Sequence, residues 1–328
     1  MNVKLLVTTG IIGFFTQHTC LSAQQSPSLK EVSSQYFRVK IENDALLTAR
    51  DKTDRYFSSG IKMNYAFNGL PSRRVLSKIF PTLKESTNYY GYSIASNMYT
   101  PASIATESII QGDRPYAGWA YIGLTNISNN PKTATRFTTE YSVGAIGPIT
   151  QQERLQKQVH KIIKRPEPQG WKNQIANDIA VNINFLGEKR FFHASDNIEL
   201  MGVVETNIGT VSNYLGVGGL LRIGFVEDYF KHILPISHQQ DWQVFAFVRP
   251  MGRIVANNAL LQGGMFTYYK SPYVIPKDDL NRLYMETEFG YGISFKNFNV
   301  TYSQNVRTAE FKDAKNMLWG AMAFSYGF

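Results

Sequence analysis

The side chains that could do chemistry in this sequence are a histidine, an amide–carboxylate pair and a hydroxyl. His160 offers a base whose ordinary pKa lies near neutrality, as deprotonation of water or of a serine requires. Asn43 and Asp44 are adjacent, and Ser58 is the first residue of a Ser-Ser pair. A cation or hydrogen-bond donors would have to hold an oxyanion. Brought together in one place, these groups would suit the hydrolysis of an ester.

Oxygen ligands for a metal ion occur among the same residues. Asp44, Asn43 and Glu167 carry hard oxygen donors, which suit Ca²⁺ rather than zinc. The sequence has no His-Glu-x-x-His motif, no Gly-x-Ser-x-Gly elbow and no glycine-rich phosphate loop. An Asn-Asp pair is also common in turns, and a single histidine on a helix is commonly a surface residue. The residues alone therefore leave an enzyme and an inert pore both open.

The composition narrows the classes of protein in which these residues could act. The chain has 328 residues, of which 43% are hydrophobic and 18% charged, and its mean hydropathy is −0.24. After the N-terminus no apolar run is long enough for a membrane helix, so a helical membrane protein is excluded. With 21 Phe and 19 Tyr the chain is rich in residues that favour strands. A soluble β-rich protein and an outer-membrane β-barrel remain.

The first residues are typical of a secretory signal peptide. Lys4 precedes an apolar core over 5–15, and the small residue Ala23 ends the segment, so we expect cleavage after 1–23. The single cysteine, Cys20, would be removed with it, leaving 24–328 as one domain without cysteine. The net charge of +9 fits an anionic partner or a merely basic surface. No nucleic-acid-binding motif is present, so nucleic acid is not expected as a partner.

Alternation of apolar and polar side chains dominates the rest of the chain. It is clear at both ends, from Phe37 to Ile41 and from Met322 to Phe328. Twelve strands are predicted, at 36–44, 57–67, 88–99, 115–127, 135–146, 177–187, 197–208, 214–226, 241–256, 281–295, 297–306 and 317–328. Residues 259–270 could form a thirteenth. An even number is expected of a bacterial barrel, so the pattern predicts an all-β fold, an antiparallel transmembrane β-barrel of about twelve strands.

One helix is predicted near 150–164, between the fifth and sixth strands. Leu155, Val159 and Ile162 form a narrow apolar stripe, and a proline-containing segment follows. The simplest interpretation of such a helix is that it caps or plugs the barrel.

Strand parity predicts which loops share one end of the barrel. If the first strand runs outward, the loops after odd strands are extracellular, at 45–56, 100–114, 147–176, 256–280 and 307–316. Of the four histidines after residue 23, His160 alone lies on that side, whereas His193, His232 and His238 lie in loops after even strands. Barrel adjacency then brings the rim stretch 113–119 and the Asn43–Asp44 pair toward the loop of His160.

At these positions the sequence resembles the LpxR-type outer-membrane lipid A 3′-O-deacylase family. The similar stretches run in order through the chain, from Glu42-Asn43-Asp44 to the C-terminal Phe328. Between them lie Asp54-Arg55-Tyr56 to Gly60, Asp113-Arg114-Pro115-Tyr116-Ala117-Gly118-Trp119, Gly147-Pro148, Gln156 with His160, Pro168-Gln169-Gly170-Trp171-Lys172-Asn173-Gln174 and Arg307-Thr308-Ala309-Glu310-Phe311.

The resemblance implies a monomeric twelve-stranded barrel of the bacterial outer membrane, with its site between the wall and a helix from an extracellular loop. It implies Ca²⁺-dependent removal of the 3′-linked acyloxyacyl group from lipid A, the lipid anchor of lipopolysaccharide. By position, His160 would be the general base, and Asn43 and Asp44 would serve Ca²⁺ or orient water. Ser58 resembles the family's Thr/Ser at the start of strand two, and Glu167 the acidic residue shortly after the histidine.

The chain departs from the family's pattern at three places. The acid that follows the histidine by six residues is replaced by Pro166, so Glu167 is shifted by one. The stretch 100–111 holds no Lys or Arg, where the pattern has a lysine. The Asp after the family's Trp is replaced by Lys172, a reversal of charge that could partly compensate for the missing lysine.

Other interpretations lie beside this hypothesis. A covalent route through Ser58 is an alternative to direct attack by water. A barrel phospholipase or another lipid esterase, and a catalytically inert pore or structural barrel, are alternative functions. A soluble periplasmic β-sandwich is the alternative fold.

Overall fold

The chain folds into a barrel of twelve antiparallel strands in the computed structural model, which describes residues 35–47, 56–69, 78–194, 197–234 and 242–328. The predicted signal peptide, 1–23, lies outside the described residues. The strands are β1 Gln35–Asn43, β2 Tyr56–Asn68, β3 Thr87–Thr100, β4 Ala117–Asn130, β5 Thr135–Ile146, β6 Asp178–Ala194, β7 Ile198–Gly209, β8 Ser212–Phe225, β9 Trp242–Asn258, β10 Leu283–Phe295, β11 Phe298–Arg307 and β12 Met317–Gly327.

The sheet closes through pairing of its first and last strands. β1 pairs with β12 from Tyr36↔Gly327 to Asn43↔Gly320, and every other strand pairs with its neighbours in sequence. The predicted all-β barrel of twelve strands is therefore confirmed, and closure leaves no open edge. The alternative of a thirteenth strand at 259–270 is wrong, because this stretch begins with a short helix, α2 (Ala259–Gln262), and ends with a 3-10 turn at Tyr268–Lys270.

Strand β3 shows how the outer and inner sides of the wall differ. On β3, Tyr92 and Ile94 are exposed on the outside, whereas Asn97 and Tyr99 line a cavity of about 300 Å³ in the lumen. Apolar side chains facing outward and polar ones inward are the arrangement of a barrel surrounded by lipid. Among the described residues, no helix is long and apolar enough to cross a membrane.

The two ends of the barrel differ. The terminal end holds Gln35 and Phe328, whose backbones exchange hydrogen bonds of 3.1 and 3.0 Å. The opposite end, called here the loop end, carries the loops after odd strands. Of the histidines that parity assigned to the terminal end, His193 lies within β6, which is longer than predicted, and His232 in the loop after β8. His238 lies outside the described residues.

Both ends of the lumen are covered. At the terminal end the segment 226–234 folds inward, with Phe230 fully buried and Arg136 Nη2 donating 2.6 Å hydrogen bonds to the carbonyls of Tyr229 and His232. At the loop end an apolar cluster unites the strand ends with α2 and the loops beside it: Tyr56, Phe57, Leu261, Ile275, Leu280, Phe311, Met317 and Trp319. Between these two coverings, polar and charged side chains dominate the lining of the cavity of about 300 Å³ at the loop end of the lumen.

The helix predicted at 150–164 spans Gln152–Ile163 (α1), but the expectation that it caps or plugs the barrel is wrong. Gln152 Nε2 donates a 2.8 Å hydrogen bond to Ser96 Oγ. Ser96 lies on the outer side of β3, two residues from the exposed Ile94. Helix α1 therefore packs on the outer surface of the wall.

Candidate functional site

The end of β1 is joined to the start of β2 by two side chains from the predicted site. Asn43 Nδ2 donates a 2.5 Å hydrogen bond to the carbonyl of Ser58. Asn43 Oδ1 accepts from the backbone of Ala45 at 2.7 Å and so caps the short 3-10 helix Asp44–Leu46. Asp44 itself is buried. The structure therefore brings Asn43, Asp44 and Ser58 together at the loop end, as expected.

A threonine that the sequence did not indicate joins this group. Ser58 Oγ and Thr100 Oγ1 lie 2.6 Å apart, and both residues are buried. The contact depends on an irregularity of register between Phe57 and Ser59 in the pairing of β2 with β3. Such a bulge re-aims one side chain, and no sequence pattern here marks its position.

His160 is held in one orientation by the chain that follows its helix. Its side chain is buried, with Nδ1 2.6 Å from the carbonyl oxygen of Pro166. The turn is closed by a left-handed Lys164 and by a 2.8 Å hydrogen bond from Arg165 N to the carbonyl of His160. A carbonyl can only accept, so Nδ1 must carry the proton, and Nε2 is left with the lone pair of a base.

His160 belongs to a buried polar row on α1. Gln152, Gln156 and His160 are four residues apart and are the buried residues of the helix. Gln156 Oε1 accepts a 2.7 Å hydrogen bond from Nε1 of Trp171, a fully buried residue. These glutamines position the histidine. The sequence pattern could have revealed them, because the three residues share the spacing of one helical face.

A glycine allows the helix to approach the wall. A Cβ atom built on Gly118 would collide with Thr150 Oγ1 and lie 2.6 Å from Cγ of Gln152. Gly118 of β4 pairs with Met98 of β3, which packs with Tyr116 and the ring of Trp171. Tyr116 and Gly118, both in the 113–119 stretch, therefore form part of the surface on which α1 docks.

The candidate site faces the outside of the barrel. Glu42 and Tyr99 line the lumen cavity, so the next residues, Asn43 and Thr100, fall on the opposite side of the wall. The row that contains His160 covers the same outer side, through the contact of Gln152 with Ser96. Both groups of candidate residues, the one around Asn43 and the row that contains His160, therefore lie on the outer side of the wall.

Glu167 lies on the protein surface. Its side chain is 59% exposed and lies 3.2 Å from Lys157 Nζ, which also pairs with Glu153 at 3.0 Å. Hydrogen bonds to these two carboxylates raise the pKa of Lys157. Within the described ranges, no group of three or more His, Cys, Asp and Glu side chains could hold a metal ion. Calcium ligation by Asp44, Asn43 and Glu167 stays a prediction, to which the surface pairing of Glu167 adds no support.

The Asp113-Arg114 pair serves the interior. Asp113 Oδ2 accepts from the backbone of Ala102 at 2.8 Å, and Arg114 Nη1 lies 2.5 Å from Glu310 Oε2. Burial opposes the charge of Glu310, but Arg114 and Arg307 outweigh it and hold the pKa of Glu310 below its ordinary value. Two of the stretches that resemble the family thus meet in a buried ion pair.

Lys172, one of the departures from the family's pattern, contacts the stretch 100–111. Lys172 Nζ lies 2.6 Å from Glu107 Oε2, and Asn173 Nδ2 donates a 2.8 Å hydrogen bond to the Glu107 carbonyl. The hydrogen bond and the charge of Lys172 lower the pKa of Glu107. The cation that might have replaced the missing lysine of 100–111 is therefore already paired.

Comparisons with known proteins agree with this architecture. A family model described as "Outer membrane protein LpxR" matches residues 10–328. The solved structure of LpxR from Salmonella typhimurium superposes with a TM-score of 0.71 at 18% identity, covering 89% of this chain and 100% of that one. The β domain of the Bordetella autotransporter BrkA gives a TM-score of 0.47 at 9% identity, covering 91% and 100%. No curated protein sequence matches this chain significantly.

Proposed function

The chain belongs to the LpxR family of outer membrane proteins, and from that membership we propose that it is a lipid A deacylase. Its barrel places it in the bacterial outer membrane. The proposed reaction is hydrolysis of the 3′-linked acyloxyacyl ester of lipid A. The substrate is a lipid of the same membrane, and α1, which carries His160, packs on the outer side of the barrel.

The contact between His160 and Pro166 carries the proposal. With Nδ1 protonated and bound to the Pro166 carbonyl, Nε2 is the nitrogen that can accept a proton. His160 would take a proton from water as the water attacks the ester carbonyl, and would then return it to the departing alkoxide. In the family's pattern an acid stands at the position of Pro166; here the backbone carbonyl holds the ring.

We propose water rather than Ser58 as the nucleophile. Ser58 Oγ is buried and bonded to Thr100 Oγ1, and the Ser58 carbonyl is bound by Asn43. In this arrangement Ser58 positions the end of β1, while Asp44 orients the water or the ester. A Ser58→Ala variant should therefore retain part of the activity and accumulate no acyl-enzyme, whereas a complete loss would favour the covalent route.

A calcium requirement stays a prediction, and no step is drawn through a metal. Asn43 Oδ1 accepts one hydrogen bond, from Ala45, and keeps a second lone pair, whereas Glu167 would have to give up its contact with Lys157 to bind an ion. Chelation by EDTA followed by Ca²⁺ or Mg²⁺ addition tests the requirement. Asp44→Asn should impair any calcium response, whereas Glu167→Gln should leave it as in the wild type.

Hydrolysis of another lipid ester is the second candidate. The observation that favours it is the pairing of Lys172 with Glu107, because the stretch 100–111 itself holds no cation for a lipid A phosphate. Headgroup-resolved lipidomics of expressing cells separates the two substrates: fatty acid is lost from lipid A in one case and from glycerophospholipids in the other.

Mass spectrometry of lipid A from expressing cells tests the proposed function. The wild type should release one acyloxyacyl group, and His160→Ala should release none. His193→Ala is the matched control, because His193 is exposed near the terminal end of β6. Identical acyl loss in wild type and His160→Ala, or unchanged lipid A in wild-type cells, would contradict the proposal.

A further inference from the structure

Helix α1 turns its apolar side away from the protein. Leu155 and Val159 are exposed by more than 40%, Ile163 by 55% and Ile162 by 79%, whereas the buried row consists of Gln152, Gln156 and His160. A helix at a water-facing surface would bury the apolar side chains and expose the polar ones. The reversed arrangement indicates that the medium beside α1 is apolar.

Cations occupy another side of the same helix. Arg154 and Lys161 are exposed, about 80–100° around the helix from Ile162 and about 140–160° from Val159, and Lys164 is exposed at the C-terminal end. Apolar residues on one side and Lys and Arg on the other are typical of a helix in a membrane interface, with its cations toward anionic headgroups.

The apolar side of α1 continues the lipid-facing surface of the barrel. Ser96, to which α1 is bonded, lies two residues beyond Ile94, or about 7 Å along β3. Ile94 and Tyr92 are exposed by 55% and 57%, and Ile122 on the paired strand β4 by 60%. The helix therefore begins at the upper border of this belt, where acyl chains give way to headgroups.

A second exposed apolar group lies beside the first. Met265, Phe266, Tyr268 and Tyr269 are exposed in the loop after α2. Asp178 Oδ2 accepts hydrogen bonds from the backbone of Phe266 at 2.7 Å and of Thr267 at 2.9 Å. Asn177, the residue before, accepts from the backbone of Ile149 at 2.7 Å, and Ile149 is itself exposed at the base of α1.

We propose that the apolar side of α1 and the loop 265–269 form a shelf that inserts into the outer leaflet. The occupant of this surface is the bilayer: acyl chains contact Leu155, Val159, Ile162 and Ile163, and the aromatic loop lies at headgroup level like an interfacial belt. Arg154, Lys161 and Lys164 contact anionic headgroups. The shelf sets α1, and His160 with it, at membrane depth, and it requires only the barrel's place in the membrane, not the proposed reaction.

Site-directed spin labelling tests the shelf without an activity assay. Cys20 is the only cysteine of the sequence, so Cys20→Ser gives a background for single cysteines at Ile162 and, as matched control, at Lys161. The full chain is reconstituted in vesicles of phosphatidylethanolamine and phosphatidylglycerol. Collisions of the label with oxygen, which partitions into lipid, are compared with collisions with a water-soluble nickel complex. The ratio should be several-fold higher for Ile162→Cys than for Lys161→Cys.

Two results would overturn the proposal. Equal and high nickel accessibility at both positions would show that water covers the apolar side. An Ile162→Cys label that neither reagent reaches would show that protein covers it, either a second copy or another partner. Vesicles without phosphatidylglycerol test the contacts with anionic headgroups. The difference in the oxygen-to-nickel ratio between the two labels should become smaller in them, because the cations of α1 lose their partners. A larger difference would contradict the headgroup contacts.

Discussion

Arg114 and Glu310 form a buried ion pair of 2.5 Å although 196 positions separate them in the sequence. The guanidinium of Arg114 also lies over the ring of Tyr99 at 4.4 Å, and Glu310 Oε1 accepts from Arg307 Nη1 at 3.1 Å. The pair ties the loop before β4 to the loop before β12. It thereby fixes the rim of the barrel that carries Asn43 and the docking surface of α1.

Breaking this pair should weaken the barrel strongly. Arg114→Ala leaves the Glu310 carboxylate buried without that partner, and the loss of one partner of a buried pair costs about 3–5 kcal/mol. Urea unfolding in detergent or lipid, followed by the heat-modifiable shift in gel mobility, measures the change. Lys132→Ala is the matched control, since Lys132 pairs with Glu85 on the exposed surface and should unfold as the wild type does. Equal stability of the two variants would contradict the role of the buried pair.

The same pair predicts a pH dependence. Burial raises the pKa of Glu310, but the charges of Arg114 and Arg307 outweigh it and bring the pKa below the ordinary 4.5. The Glu310 carboxylate therefore binds a proton less readily in the folded state than in the unfolded state. The stabilisation is complete above the ordinary carboxyl pKa and is lost as the pH falls through the lowered value. The difference in unfolding free energy between wild type and Glu310→Gln should therefore narrow in acid. A difference that stays constant from neutral to acid pH would contradict this.

Gly118→Ala should separate catalysis from folding. The added Cβ collides with Thr150 and crowds Gln152, which displaces the start of α1 and with it the row that ends at His160. The barrel should still form, and the heat-modifiable shift in gel mobility, which reports the strands, should be unchanged. The rate of lipid A deacylation should fall at least tenfold, because a misplacement of a catalytic group by about 1 Å can reduce the rate about a hundredfold. Gly252→Ala is the control, because the nearest atom to its Cβ is 3.8 Å away. Full activity of Gly118→Ala would show that α1 need not lie against the wall.

The coverings at the two ends of the lumen predict a silent channel. The wild type should show no steady conductance in planar bilayers, because the segment 226–234 and the apolar cluster at the loop end cover the lumen. Arg136→Ala removes the donors to the Tyr229 and His232 carbonyls, so it should release the terminal segment and produce transient openings. Conductance of the wild type comparable to a porin would instead favour the passive-pore interpretation.

The pair of Lys172 with Glu107 shows how a sequence pattern can mislead. From the sequence, the additional Lys172 could partly compensate for the lysine missing from 100–111. In the structure Lys172 is already paired with Glu107 of that stretch, so its charge is balanced within the protein. Likewise the Asp113-Arg114 stretch, which the sequence placed near the chemistry, stabilises the interior.

The sequence by itself determined the strands. Alternation with period two is a local property, since each side chain meets either lipid or lumen, and the predicted bounds agree with the structure within three residues except at the end of β6. It also identified Asn43, Asp44 and Ser58 as neighbours and His160 as the histidine at the loop end.

Only the tertiary structure decided on which side of the wall the site lies. Polar residues such as Ser96 and Thr100 face outward, yet their types do not distinguish an outer position covered by a helix from a position in the lumen. Thr100 meets Ser58 only because the register shifts at a bulge. The expectation that α1 caps or plugs the barrel was wrong for a physical reason: the barrel lies in a lipid bilayer, so the apolar side chains of α1 are stable outside it, and the polar row with His160 packs against the wall.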